Sequence, residues 1–166
     1  MSGIIGGGFN GNSGVVGQQE GTNHFFEASL SGTQSMADGS EPTVEFNTIA
    51  TGMNPDGWFD TSSYRYTPKK AGKYLIGING LGWSTSGVGY LNVASPRIRK
   101  NGSTFVTTYA DLRNGNAGYV LPIHITALID FNGSSDYVDF KVFIQTSGSS
   151  SYSLATCSSF GHYISS

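Results

Sequence analysis

Hydrophobic residues along this chain recur at every second position in short runs, and no segment sustains the recurrence of a helix. The clearest run is DYVDFKVFIQ, where Val138, Phe140, Val142 and Ile144 take one face while Asp139, Lys141 and Gln145 take the other. Such alternation predicts a strand with one buried and one wet face. YLIGINGL alternates likewise through Tyr74, Ile76 and Ile78, and YVLPIHITALI sets Leu121, Ile123 and Ile125 on a single side. Pro122 lacks the N–H that a central strand must donate, which points its strand to an edge or a bulge. Weaker runs predict strands over 25–30, 43–49, 62–67, 96–100, 103–109, 152–158 and 160–165.

Turn chemistry separates these runs. Asn101-Gly102 and Asn132-Gly133 are dipeptides that accept positive φ, and Asn54-Pro55-Asp56-Gly57 is a turn by composition. About ten short strands in one domain-sized segment predict an all-β, two-sheet jelly roll. The alternation begins only near residue 23. Before it the chain is glycine-rich and repeats itself: Ser2-Gly3-Ile4-Ile5-Gly6 returns eleven residues later as Ser13-Gly14-Val15-Val16-Gly17. We divide the chain into an extended N-terminal arm, 1–22, and a head domain, 23–166.

Composition narrows the function classes. Among 166 residues, 24 are glycine and only 12% are charged, against roughly 25% in ordinary proteins. A net charge of −2 leaves no footprint for nucleic acid, since Arg97, Arg99 and Lys100 are too few to neutralise many phosphates. No apolar run approaches the roughly 18 residues of a membrane span. The lone Cys157 offers no intrachain disulfide and reads as a small buried hydrophobe. The opening shows neither a basic n-region nor a long apolar stretch, so the chain reads as made in the cytosol.

A more specific pattern lies on the strands. From Asn54, Phe59 follows after five residues, Tyr66 after seven more and Gly72 after six, and then come Tyr74, Ile76 and Ile78 in steps of two. This spacing resembles the globular head of the complement C-one-q type, one of the tumour necrosis factor-like jelly rolls. VEFN (44–47), IRKNG (98–102) and SSFGHYI (158–164) follow in the family's order. The chain departs from the pattern in the distance of Phe46 from Asn54, in Tyr66 where the family has Phe, and in Ile76 and Ile78 where it has aromatics. The resemblance implies a homotrimer around a threefold axis, with Phe46, Phe59, Tyr66, Gly72, Tyr74, Ile76, Ile78 and Phe160 as its core and trimer signature. It would also give the 9 tyrosines and 10 phenylalanines something to bury against.

The arm adds a setting. Openings of the SGIIG-plus-SGVVG kind are similar to the N-termini of virion proteins of tailed bacteriophages. The implied role is a trimeric capsid decoration or cement protein on the virion surface, with no catalytic activity and no cofactor. Ile4, Ile5, Val15 and Val16, with Phe9, would anchor the arm in the major capsid protein or another virion protein. The alternative is the receptor-binding head of a short tail fibre or spike. There Trp58, Trp83 and Tyr90, in glycine-rich loops, would stack on a host surface glycan.

Catalytic and metal motifs are thin. Gly6, Gly8 and Gly11 satisfy G-x-G-x-x-G without the strand before and the helix after that a dinucleotide site requires. His24, His124 and His162 stand too far apart for a local metal motif. His124 alternates with the apolar face of its strand and reads as a surface or interface histidine. Two readings stay open for Asp130 and Asp136: a calcium loop, or solvated turn carboxylates.

Overall fold

The structure, a computed structural model, describes residues 24–84, 90–113, 118–148 and 151–166. The arm residues Ile4, Ile5, Phe9, Val15 and Val16 lie outside the described residues. Twelve strands run β1 (Phe25–Ser29), β2 (Gln34–Ala37), β3 (Thr48–Ile49), β4 (Phe59–Asp60), β5 (Arg65–Tyr66), β6 (Ala71–Ser84), β7 (Tyr90–Lys100), β8 (Ser103–Thr107), β9 (Ala110–Asp111), β10 (Val120–Asn132), β11 (Val138–Ser147) and β12 (Ser151–Ser165). They form two antiparallel sheets. The front sheet has the order β10-β6-β12-β1-β3, with β2 also on β12; the back sheet has the order β4-β5-β11-β7-β8, with β9 also on β7. No helix among the described residues is long and apolar enough to cross a membrane.

The core lies between the sheets, and the sequence spacing explains how it fills. Phe46, Phe59, Tyr66, Tyr74, Ile76 and Ile78 are all buried. Each such side chain contributes roughly 1.5–3 kcal/mol when taken out of water. The Phe26 ring packs on Phe59 and Tyr66 with centroids 4.8 and 4.3 Å away, and Tyr74 meets Phe131 edge-on at 5.2 Å. Asn54, five residues before Phe59, holds that strand's start. Its side chain donates to the Phe59 carbonyl at 3.0 Å and accepts from the Phe59 N–H at 3.2 Å, so that one amide replaces a missing strand partner. Gly72, at φ +141°, is required where β12 crosses: a Cβ there would overlap the Ser165 carbonyl oxygen and the Tyr163 ring.

Several expected elements differ. The runs at 152–158 and 160–165 are one strand, β12, interrupted by a bulge where Ala155 pairs with Leu81 but Ser158 already pairs with Asn79. Thr156 takes φ +47° there, and Gly80 opposite leaves room for Cys157, whose Sγ a Cβ at residue 80 would overlap. The expected strand at 43–49 shrinks to Thr48–Ile49 plus an isolated bridge from Thr43 to Lys141. The expected strand at 62–67 likewise narrows to Arg65–Tyr66, because Asp60 caps the turn by accepting from Ser62 and Ser63. Pro122 does sit on an edge: β10 pairs with β6 alone.

Candidate functional site

The two sheets present unlike outer faces. On the back sheet, Arg99 clasps Asp139 through two hydrogen bonds of 2.7 and 2.6 Å, and Arg97 meets Glu41 at 2.8 Å. Lys141 Nζ adds a bond to the Glu41 carbonyl at 3.0 Å. That face carries paired charge, with Phe105 of β8 exposed beside it.

The front sheet's outer face carries two apolar rows on either side of a polar middle row, His124, Asn79, Ser158 and Ser29, and these rows follow from register. Val120 lies opposite Trp83; Pro122 opposite Leu81 and then Ala155; Leu128 opposite Leu75, then His162, then Phe25. Val120, Leu128, Leu75 and Leu81 keep 50, 54, 37 and 38% of their surface in water. In the row between, Phe160 lies across Gly77, where a Cβ would overlap its ring. Phe160 therefore leaves the core set: the bulge at Thr156 turns even-numbered residues of β12 outward, and its ring is half-buried on this face. His124 projects from the same face midway along the edge strand β10, exposed, opposite Asn79. Lys73 and Asp130, paired at 2.6 Å, close one end.

The aromatic loop residues do not converge. Trp58, expected to point outward, is partly buried against the core and has one face covered by the His24 ring at 4.8 Å. His24 in turn holds Asp56 at 2.9 Å and meets the Tyr163 ring edge-on. Trp83 lies at the far end of β6 from Tyr74 and that cluster, nine residues or ~30 Å along the strand. Tyr90 is 39% exposed, and its ring partner is Tyr119, 50% exposed, at 4.9 Å. Sequence reasoning missed Tyr119; its signal was an aromatic immediately before the Val120 strand, beside the Trp83 row.

Carboxylate and histidine chemistry is dispersed. Asp136 accepts from Asn101 at 2.8 Å and the backbone of Asn132 at 3.0 Å and pairs with Lys100 at 2.9 Å, while Asp130 is engaged by Lys73. The structure thus gives both carboxylates protein partners. These bonds, Asn101's first, hold the Asp136 carboxyl below its usual range. Among the described residues no group of three or more His, Cys, Asp or Glu is arranged to hold a metal ion. Cys157 is buried, and burial pushes its thiol up to about 11, which keeps it a protonated hydrophobe.

No family model matches the sequence, and no curated protein matches it. Solved structures do match. Eiger TNF from S. frugiperda superposes with a TM-score of 0.58 at 8% identity, covering 86% of this chain and 94% of that one. The globular domain of the zebrafish complement 1qA protein superposes with a TM-score of 0.52 at 13% identity, covering 80% of this chain and 95% of that one. At such identities the likeness concerns the fold, and the two antiparallel sheets described above agree with it. The chain therefore folds as a tumour necrosis factor-like jelly roll.

Proposed function

We propose that this chain is a non-enzymatic structural head that closes into a homotrimer through the outer face of its front sheet. We further propose that residues 1–22 hold it on a bacteriophage virion as a capsid decoration or cement protein. The observation that carries the self-association is the cluster of exposed apolar side chains on one face: Leu75, Leu81, Val120, Leu128 and Phe160 lie on one side of one sheet, whereas the outer face of the opposite sheet carries the ion pairs of Arg97 and Arg99 and, among large exposed hydrophobics on its strands, Phe105. A monomer would keep these side chains in water and forgo part of the roughly 1.5–3 kcal/mol that each yields on burial. A ring of like subunits buries the face three times over and closes, whereas open association would continue into filaments. The virion setting is supported by the sequence likeness of the SGIIG and SGVVG openings.

The alternative role, receptor-binding head of a short tail fibre or spike, is favoured by one observation. Tyr90 and Tyr119 expose their rings side by side at the Trp83 end of the sandwich, where sugar rings stack on aromatic faces.

Mass in dilute solution tests the assembly: sedimentation velocity is expected to give a single species of three times the chain mass, and monomer throughout a dilution series refutes it. Immunogold labelling of intact particles separates the roles. Label scattered over the head supports decoration; label confined to the tail supports attachment and makes Tyr90, Tyr119 and Trp83 the residues to mutate.

A further inference from the structure

His124 stands on the front sheet's outer face midway along the edge strand β10, while His162 projects from the same face on the central strand β12. His124 shares its strand's outward side with Pro122 and Thr126, faces Asn79 on β6, and is followed along its row by Ser158 and Ser29. None of these carries charge. The charged and titratable groups of the face stand elsewhere. Lys73 and Asp130 pair with each other three rows away, ~20 Å along the strands. Glu27 lies one row along and three strands across, on β1, at ~16 Å. His162 lies two rows along and two strands across, stacked on Phe25 with centroids 5.5 Å apart. On its open side β10 packs against β7, whose neighbour β9 carries Asp111, already paired with Arg113; no carboxylate of the front face is paired with residue 124.

We propose that His124 makes assembly of this chain acid-labile. The inference rests on the assembly reading above. A neutral imidazole is accommodated in a dry interface, with Asn79 beside it to share a hydrogen bond. An imidazolium entering the same interface loses its water and meets no counter-charge. Histidine is the side chain that ordinarily changes charge between about pH 5 and pH 8. The sign follows by linkage: the assembled state binds fewer protons at this position than the free face does, so assembly weakens as pH falls. Threefold assembly presents the position once per copy and multiplies the effect. His24 lies off this face, paired with Asp56 within the head.

The test is sedimentation of the full chain at about pH 7.5 and about pH 5.5, for the natural sequence and for His124→Gln, His124→Leu and His162→Gln. The natural chain and His162→Gln are expected to need about tenfold or more protein to assemble at the lower pH, and both residue-124 variants to change by less than about twofold. Assembly of the natural chain that is equal at both pH values overturns the proposal, as does an unaltered acid response in the residue-124 variants. Failure of both variants to assemble at the higher pH overturns it too, since a position that needs only to be uncharged tolerates either side chain. A natural chain that is monomeric at both pH values sinks the assembly reading and this proposal together. One that is trimeric and indifferent to pH sinks this proposal alone.

Discussion

At the scale of single residues, the departures from the family spacing explain themselves one at a time. Tyr66 occupies a position where the resemblance leads one to expect Phe, and its ring fills the core at 1% exposure, against Phe26 and Tyr74. Its hydroxyl has no hydrogen-bond partner among the described residues, and burial pushes its ionisation well above the ordinary tyrosine range. An unpaired buried hydroxyl costs its desolvation and returns nothing, so Tyr66→Phe is expected to leave thermal stability unchanged or raise it by about 1 kcal/mol. A melting curve that shifts down instead would mean that the hydroxyl has found a partner. Asp136 gives the opposite case, a polar group fully employed. Bonds from Asn101, Lys100 and the Asn132 backbone hold its carboxyl below the ordinary value of 3.8. With the folded value depressed, its contribution is fully present above the unfolded value and is lost as pH falls through the folded one. Thermal melts between about pH 5 and about pH 2 should therefore lose less on acidification in Asp136→Asn than in the natural chain, and equal losses would refute this role.

Among the elements, β12 shows both what the sequence tells and where it stops telling. Tyr152 and Leu154 face the core before the bulge, and Cys157, Ser159 and Gly161 face it afterwards, so the inward parity changes within one continuous strand. A period-2 reading carries 152–158 straight across this phase change, because alternation gives no sign of the extra residue at the bulge. Nothing in Thr156 itself announces the bulge, because β-branched residues seldom take positive φ. Its backbone strain predicts that Thr156→Gly keeps the fold and gains up to about 1 kcal/mol in chemical denaturation, whereas Gly80→Ala, forced against Cys157, loses several times that. Gly32→Ala, with nothing within 4 Å of the added carbon, serves as the neutral reference. The core was legible because Phe59, Tyr66, Tyr74, Ile76 and Ile78 obey strict spacing. The outer face was less so: Leu75, Leu81 and Leu128 stand at positions where simple alternation expects polar side chains, and only register across β10, β6 and β12 gathers them into one surface. Trp58 was misjudged for a similar reason, since its cover, His24, is 34 residues away in sequence.

For the whole molecule, the two outer faces and the arm make separable demands. Charging the front face should break assembly without touching the core, because Leu75 and Leu128 point away from it and are 37 and 54% exposed. Leu75→Asp with Leu128→Asp is expected to sediment as a folded monomer with a melting temperature close to that of the natural monomer, while the same pair changed to Ala weakens assembly less. A trimer that survives both aspartates would place the contact elsewhere. The arm is tested by deleting residues 2–17. If three arms engage one particle together, each needs only weak affinity, because engagement of the first raises the effective concentration of the others. Deletion should then abolish incorporation into particles while the head still assembles, and the charged-face monomer, with its single intact arm, should incorporate poorly too. Normal occupancy of the deleted chain would show that the head itself grips the particle. Normal occupancy of the monomer would show that one arm suffices, leaving multiplication by three with no work to do.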